Sequence, residues 1–238
     1  MTEISKTADQ ALVLLAYVAE HGPLGTTELA RRLKMHRTVV HRLLATLHQR
    51  GFVHRVEAGY LPGTALLHLA QFVEPELIGA ARPTLTALAR EFGETFILTA
   101  PQGSYEAIQI DQAVGDNHFM RVQLTRGFRH PLSKGASGRS ILAFADPAVV
   151  QHFLEEADDP DLLAEQLASV RSQGYAVSHD ELSPGVHGVS VPVVVDKQVV
   201  ASIGVVYPAV RQAADASYAR ALKKAATTIA RTLRGPRD

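Results

Sequence analysis

Apolar residues recur at helical spacing in the first part of the chain. One apolar stripe predicts a helix that ends at His21-Gly22-Pro23; it consists of Leu12, Leu15, Ala16 and Ala19. A short second helix is predicted from about residue 25 to residue 33, with Glu28 as the N3 residue of a capping box. A break around residues 34–36 separates it from a third helix. The pattern therefore predicts three helices with a tight turn between the second and the third.

The third predicted helix, from about Arg37 to Arg50, has two contrasting faces. Its apolar stripe has the i, i+3, i+4, i+7 spacing of a buried face and consists of Val40, Leu43, Leu44 and Leu47. The opposite face is polar and basic, with one small residue; it consists of Thr38, Arg42, Ala45 and Gln49. Such a face suits a helix that lies in the major groove of DNA.

A short β-hairpin is predicted directly after the third helix, with strands at residues 52–56 and 60–61. Three helices followed by such a hairpin make a winged helix-turn-helix, in which Arg55 of the wing meets phosphate or the minor groove. Arg31 and Arg32 of the second helix meet backbone phosphates. The residues predicted to contact double-stranded DNA are Thr27, Arg31, Arg37, Thr38, Val39, His41, Arg42 and Arg55.

Charge is distributed unevenly, although the chain has 24 basic and 24 acidic residues. Residues 26–55 contain seven bases and one acid, a net charge of +6, whereas residues 63–238 contain 16 bases and 19 acids, a net charge of −3. This asymmetry favours a basic nucleic-acid-binding module joined to a mildly acidic one. The alternative is a ligand-binding protein whose winged helix binds protein; only DNA binding should weaken steeply with salt.

The remainder of the chain predicts an α+β domain. A helical link spans residues 64–72 and a boundary falls at Glu74-Pro75, which gives a winged-helix domain at 1–62, a linker at 63–74 and a second domain at 75–238. Strands and helices interleave without regular βαβ spacing, which favours an antiparallel sheet flanked by helices. Helices are predicted at 83–92, 138–145, 147–156, 160–173 and 215–233, and strands at 95–100, 105–111, 119–124, 186–195 and 199–207. A hairpin at Asp196-Lys197 joins the last two strands.

Composition excludes several classes of protein. The chain has no Cys, which excludes disulfides, thiolate zinc sites and a cysteine nucleophile. The longest apolar run, 11–19, is too short to cross a bilayer, and the N-terminus lacks a basic signal-peptide region, so a cytoplasmic protein without membrane contact is expected.

Enzyme motifs are also missing. Arg139 replaces the second Gly of a G-x-S-x-G elbow, and nucleotide-binding glycine motifs do not occur. Four histidines lack the spacing of a zinc site: His118, His130, His179 and His187. We therefore expect neither an enzyme nor a cofactor or metal.

The first part of the chain resembles the DNA-binding half of the IclR family of bacterial transcription regulators. The resemblance rests on Gly22-Pro23-Leu24, Glu28-Leu29-Ala30, the run from Thr38 to Leu47, Gly51-Phe52-Val53 and Tyr60-Leu61. Two departures are visible: Thr38-Val39 replaces the common Ser-Thr, and His36 replaces the common Pro. Loss of a hydroxyl at Val39 changes which base or phosphate is contacted.

The second part resembles the effector-binding, GAF-like half of the same family, so the resemblance extends from about Ala8 to Leu233. It rests on Gly127, Pro131-Leu132, Gly135–Arg139, Leu142-Ala143, Gly174-Tyr175-Ala176, Glu181, Gly185-Val186 and Val191-Pro192-Val193. The resemblance implies a sequence-specific transcriptional regulator whose operator binding responds to a small molecule. It also implies dimers that pair into tetramers.

Small residues at the start of the helix predicted near Gly135-Ala136-Ser137-Gly138 expose backbone N–H groups at the positive end of the helix dipole, which suits a carboxylate. Nearby basic groups could raise the local potential: Arg129, His130, Lys134 and Arg139. The alternative is a tight turn whose glycines only permit close packing.

The resemblance places five residues in the effector pocket. With His130, the predicted effector site consists of His130, Ala136, Ser137, Ser178, Val186 and Gly188. Family members that bind very small acids have Asp and Cys where this chain has Ser178 and Gly188, so a larger aromatic or sugar-derived acid is expected.

One winged helix reads few bases, so a dimer on a palindromic operator is expected. The helical link at residues 64–72 is expected to transmit effector binding to the DNA-binding domain.

Overall fold

A computed structural model describes residues 4–116, 120–211 and 215–235. The chain divides into two compact units, one up to Pro75 and the other from Glu76 onward.

The first unit is a winged helix-turn-helix, as predicted. Its elements are α1 (Lys6–His21), α2 (Thr26–Arg32), α3 (Arg37–Gln49), β1 (Val53–Val56), β2 (Gly59–Pro62) and α4 (Ala65–Ala70). The apolar stripe of α3 faces the core, with Val40, Leu43 and Leu44 buried. The opposite face of α3 is exposed, which leaves its polar and basic side chains accessible.

The predicted first helix is present as α1 and ends at His21, but the apolar stripe that predicted it is not its buried face. Leu14 and Val18 are fully buried against α2 and α3, whereas Leu12 is 67% exposed. Residues 11–19 are apolar all round the helix, so periodicity alone does not single out one face. The packing of α2 and α3 makes that choice.

The capping box at α2 was also wrong. The N-cap of α2 is Gly25, which has no side chain to bond a backbone N–H, and Thr26 is already the first helical residue. The carboxylate of Glu28 instead accepts hydrogen bonds from Arg31 and Arg32, one turn further along the same helix.

The wing is tied to the loop before α2. Strands β1 and β2 pair antiparallel around a two-residue turn, with Val56 opposite Gly59. The Tyr60 N–H donates to the Leu24 carbonyl, which adds a third short segment to the sheet. Gly59 adopts a φ of 142°, and a Cβ there would lie 2.3 Å from the Leu24 carbonyl oxygen, so only glycine fits.

The second unit contains one six-stranded antiparallel sheet flanked by helices. The helices are α5 (Pro75–Phe92), α6 (Gly135–Leu142), α7 (Pro147–Glu156), α8 (Pro160–Gln173) and α9 (Asp215–Arg234). The strands are β3 (Thr95–Gln102), β4 (Glu106–Val114), β5 (Arg129–Pro131), β6 (Ala176–His179), β7 (Val186–Val195) and β8 (Gln198–Pro208). Their order in the sheet is β5-β4-β3-β8-β7-β6.

Two hydrophobic clusters hold this sheet between helices. One cluster joins α5 and α9 to apolar side chains of the central strands, among them Phe96, Leu98 and Ile203. The other joins α6, α7 and α8. Helix α6 is buried along its whole length, and the strands it contacts carry small residues at Gly188, Ser190 and Gly204. Small side chains on β7 and β8 thus allow this helix to lie close to the sheet.

Several predicted bounds were wrong. Helix α5 begins at Pro75 rather than near Pro83, because buried residues on both sides of Pro83, such as Leu77 and Leu85, keep the helix continuous despite the missing N–H. Helix α6 begins at Gly135 rather than Gly138. The short strands β5 and β6 were not predicted at all.

The predicted strand at 119–124 is not a strand in its described part, which begins at Met120. Side chains hold this segment: Thr95 Oγ1 donates to the Val122 carbonyl at 2.5 Å, and Gln112 Nε2 donates to the Leu124 carbonyl at 2.7 Å. These carbonyls accept hydrogen bonds from side chains, whereas in a strand they would accept them from the backbone N–H groups of a neighbouring strand. Phe119 lies outside the described residues, and so does His118.

Candidate DNA-binding surface and effector cavity

The outer face of α3 presents the predicted DNA-binding residues to solvent. Arg37, Thr38, His41 and Arg42 are exposed, and Val39 is half-buried beside the core. Among the described residues, the guanidinium groups of Arg37 and Arg42 have no ion-pair or hydrogen-bond partner. Their guanidinium groups are therefore available to an external acceptor such as a phosphate or a guanine edge.

The basic charge of α2 is partly compensated within the helix. Arg31 donates to Glu28 through Nη2 at 2.7 Å, and Arg32 donates to the same carboxylate through Nε at 2.6 Å. These hydrogen bonds lower the pKa of Glu28 to about 2. Glu28 therefore stays ionised and competes with phosphate for Arg31.

The remaining predicted contacts lie at the edges of this surface. Thr27 is exposed in the first turn of α2, and Arg55 is exposed on β1 of the wing, opposite Tyr60. All eight predicted residues therefore lie in the first unit, and seven of them are exposed.

The second unit encloses a cavity between α6, the sheet and the loops at 120–128 and 180–185. About 550 Å³ of space not filled by protein atoms lies between these walls, open solvent at the mouth included. All six residues of the predicted effector site line it: His130, Ala136, Ser137, Ser178, Val186 and Gly188. These six residues come from four elements, β5, α6, β6 and β7, which the fold brings together in one site.

Ser178 and Gly188 are direct cross-strand partners on β6 and β7. A Cβ at Gly188 would lie 3.2 Å from Ser178 Oγ, so these two positions fill one corner of the cavity together. A serine and a glycine leave this corner open and uncharged.

The first turn of α6 supplies backbone donors to the cavity wall. The Gly135 N–H already donates to Glu181 Oε2 at 2.9 Å. The N–H groups of Ala136 and Ser137 belong to the same turn and have no acceptor within the helix, and both residues line the cavity. The helix end thus combines an internal carboxylate cap with two amides beside the cavity.

Arg139 does not contribute free positive charge to the cavity. Its side chain is 4% exposed and makes a bidentate ion pair with Glu181, with a further hydrogen bond to the Val177 carbonyl. Burial raises the pKa of Glu181, but the hydrogen bonds from Arg139 and Gly135 outweigh it and leave the pKa below its usual value. The expectation that Arg139 raises the cavity potential was therefore wrong.

Lys134 and Arg129 do not line the cavity either; both are exposed. No Asp, Glu, Lys or Arg is found among the described residues that line it. The described lining therefore offers neutral hydrogen-bonding groups and backbone dipoles rather than a fixed charge.

His130 and Ser137 form a hydrogen-bonded pair inside the cavity. His130 Nδ1 lies 3.1 Å from the Pro131 carbonyl, which can only accept, so Nδ1 carries a proton. In the neutral ring Nε2 then accepts from Ser137 Oγ at 3.1 Å. Burial lowers the pKa of His130 and outweighs the opposing effect of its backbone hydrogen bonds and of Glu181.

The sequence reasoning missed several lining residues. They include Thr99, Gln109, Leu124, Phe128, Leu182 and His187. The polar residues at alternate positions of β4 were a signal for Gln109, since a polar side chain on the inner face of a sheet has to find a partner. Nothing comparable in the sequence pattern pointed to the loop residues Leu124, Phe128 and Leu182.

Neither a membrane span nor a metal site is found in the part of the chain that the structure describes. No helix there is long and apolar enough to cross a bilayer. No group of three or more His, Cys, Asp or Glu there is arranged to hold a metal ion.

A winged helix with a basic outer face, joined in one chain to a unit with a cavity lined by apolar and neutral polar groups, is the arrangement of a DNA-binding transcriptional regulator that responds to a small molecule. Two family models support this class. The IclR helix-turn-helix domain matches residues 7–57, and the C-terminal domain of the bacterial transcriptional regulator IclR matches residues 70–231. The chain belongs to the IclR family, whose members bind DNA through the first domain and an effector through the second.

Two relatives of similar sequence are named as transcriptional regulators. The HTH-type transcriptional regulator BhcR of Paracoccus denitrificans is 30% identical over 202 residues, which cover 79% of this chain and 72% of that protein. The transcriptional repressor IclR of Escherichia coli K12 is 31% identical over 192 residues, 74% of this chain and 70% of that protein. Both relatives are regulators rather than enzymes.

Solved structures have the same fold. The IclR regulator of Alicyclobacillus acidocaldarius superposes with a TM-score of 0.86 at 27% identity, covering 96% of this chain and 98% of that one. An IclR homologue of Microbacterium hydrocarbonoxydans, crystallised with 4-hydroxybenzoate, superposes with a TM-score of 0.82 at 20% identity, covering 95% and 98%.

Proposed function

We propose that this regulator binds a palindromic operator as a dimer and that a carboxylic acid in the cavity of the second unit controls that binding. The observation that carries the DNA-binding part is the outer face of α3, where Arg37 and Arg42 are exposed without partners among the described residues. Arg37, Thr38, Val39, His41 and Arg42 read the major groove. Thr27, Arg31 and Arg55 contact the backbone or the minor groove.

Fluorescence anisotropy on the region upstream of the protein's own gene tests the DNA-binding surface. Arg42→Ala should weaken specific binding by about 1–3 kcal/mol, because one base or phosphate contact is lost. Arg220→Ala, an exposed arginine of α9 in the other unit, is the matched control and should bind like the wild type. Equal losses in both variants would contradict the assignment.

Dimerisation is supported by the apolar surface of the first unit. Large apolar side chains are exposed on α1, α4 and the segments beside them: Ile4, Leu12, Val13, Leu67, Leu69, Phe72 and Val73. Large apolar side chains left in water favour association, because contact with a partner buries them. Light scattering should give at least twice the 25.7 kDa chain mass; a tetramer is the next assembly expected of this family. A stable monomer would contradict the proposal.

The effector part is supported by the six residues that meet around one cavity. The amides of Ala136 and Ser137 would bind the carboxylate at the positive end of α6, with the Ser137 hydroxyl beside them. The open corner at Ser178 and Gly188 gives room for an acid larger than two carbons, and His130 and Val186 complete the wall. An aromatic or sugar-derived acid fits this description; one relative of the same fold was crystallised with 4-hydroxybenzoate.

Calorimetric titration with acids of increasing size tests this part. Larger acids should bind more tightly than glyoxylate. Tight binding of glyoxylate with no response to larger acids would contradict the proposed ligand size.

A further inference from the structure

One buried polar atom in the cavity wall remains without a partner. Gln109 lies on β4, is 2% exposed and lines the cavity, and its Oε1 has no hydrogen-bond partner among the described residues. An acceptor left in this state inside a protein costs free energy unless something binds it. Neither the helix end nor the His130–Ser137 pair uses this atom.

A chain of hydrogen bonds fixes which end of the Gln109 amide is the free one. The Leu124 carbonyl can only accept, so Gln112 must turn its NH₂ group toward it, at 2.7 Å. The Oε1 of Gln112 therefore faces Gln109 and accepts from its Nε2 at 3.2 Å. The free atom of Gln109 is thus an oxygen, which can bind only a donor.

A β-bulge places both glutamines on the same face. Residues three apart in a regular strand point to opposite faces. Here Gln109 pairs with Thr99 and Gln112 pairs with Ile97, with an extra residue, Ile110, between them in β4. Because Ile97 and Thr99 lie on one face of β3, their partners do as well. The bulge thus builds the oriented pair into the cavity side of the sheet.

We propose that Gln109 Oε1 accepts a hydrogen bond from a hydroxyl group of the effector, so that the effector is a hydroxylated carboxylic acid. This inference rests on the proposed acid-binding function: the carboxylate lies at the first turn of α6, and the hydroxyl lies toward β4. A cationic donor is disfavoured, because none of the described residues lining the cavity is an acid that could compensate it. Gln112 is a positioning residue that holds the Gln109 amide in its orientation.

The test compares matched acids with and without a hydroxyl by isothermal titration calorimetry on the full chain. The probes are benzoate against 3- and 4-hydroxybenzoate, hexanoate against 6-hydroxyhexanoate, and phenol as a hydroxyl without a carboxylate. For wild type, at least one hydroxylated acid should bind about tenfold more tightly than its parent. Gln109→Met, which keeps the volume and removes the acceptor, should abolish this preference while the parent acid still binds.

Two further variants separate the hydrogen bond from general damage. Gln112→Met should reduce the hydroxyl preference without removing it, because Gln109 remains but its amide can rotate. Gln102→Met makes the same chemical change at a β3 residue that does not line the cavity, and should keep the full preference. Thermal unfolding of each variant checks that it is folded; if Gln109→Met is unfolded, the Gln112→Met result decides.

Each outcome has a distinct meaning. Equal binding of hydroxylated and parent acids to wild type, or an unchanged preference in Gln109→Met, overturns the hydroxyl subsite and leaves the carboxylate site standing. Gln109-dependent binding of phenol without binding of any acid supports the hydroxyl subsite and overturns the carboxylate site. Failure of every probe to bind overturns both.

Discussion

Glu28 shows how a single residue adjusts the basic surface of the first unit. Its carboxylate forms ion pairs with Arg31 and Arg32 on α2 and compensates part of their charge. Arg37 and Arg42 have no such partner among the described residues. Arginines of the same sequence stretch thus differ in how free they are to bind DNA.

Replacing Glu28 by Gln should strengthen DNA binding and steepen its salt dependence. Removal of the carboxylate frees Arg31 and Arg32 for phosphates, and each additional phosphate contact raises the salt slope by about one. Anisotropy titrations at several salt concentrations measure both effects. Glu20→Gln, an exposed residue of α1, changes net charge equally and serves as control; an unchanged salt slope in Glu28→Gln would show that the arginines do not reach DNA.

His130 should make the stability of the second unit depend on pH. Burial lowers its pKa in the folded chain below the ordinary value of 6.5. As the pH falls below about 6.5, the unfolded chain binds a proton before the folded one does, so the free energy of unfolding decreases. Above pH 6.5 this contribution vanishes.

Urea unfolding at pH 7.5 and 5.5 measures this effect. The decrease in free energy between the two values should be smaller in His130→Gln than in wild type. Glu181 does not interfere, since its lowered pKa, below 4.5, keeps it ionised at both values. Identical pH dependence in the two proteins would exclude His130 as the source.

At the scale of elements, the wing and α6 each depend on a glycine with a positive φ and a close neighbour. The wing requires Gly59 against the Leu24 carbonyl. Helix α6 requires Gly135, whose φ is 72° and whose Cβ would lie 2.6 Å from a methyl group of Leu182. The Arg139–Glu181 ion pair then fixes α6 to the loop that carries Leu182. Both functional elements are thus positioned by contacts outside themselves.

Gly59→Ala should destabilise the first unit by about 1–3 kcal/mol, because the new Cβ overlaps the Leu24 carbonyl at an unfavourable φ. DNA affinity should decrease with it, since the wing carries Arg55. Thermal unfolding and anisotropy measure the two effects. Gly25→Ala, where a Cβ meets nothing within 4 Å, is the control; equal losses in both variants would argue against the close approach.

At the scale of the whole molecule, regulation requires that the effector distinguish two arrangements of the DNA-binding units, because equal affinity for both shifts nothing. The chain between the two functions passes through α4 and the short segment before α5. Any coupling between ligand binding in the cavity and operator binding that follows the chain therefore passes through this segment.

Replacing residues 64–72 by a Gly/Ser segment of equal length should uncouple the two functions. The acid should still bind the second unit, and DNA should still bind the first, but the acid should no longer change DNA affinity. Anisotropy with and without acid measures the coupling. If the acid still changes the DNA affinity of the replaced chain as much as that of wild type, the helical link does not transmit the effect.

The sequence by itself determined the elements whose signals are local. The bounds of α7 and α8 matched the prediction because Asp146 and Asp159 cap helices that begin with proline. The β7–β8 hairpin matched because its strands are β-branched and Asp196-Lys197 adopt the positive φ values of a tight turn. Helix α3 was predicted because one of its faces is apolar and the other is polar and basic.

Only the tertiary structure decided which groups are partners. It selected Leu14 rather than Leu12 for the core, paired Arg139 with Glu181 across 42 residues, and used a bulge to turn Gln109 and Gln112 to one face. Periodicity and capping act within a few residues, so the sequence displays them directly. Burial, ion pairing and strand register depend on segments far apart in the chain, and they exist only once those segments have packed together.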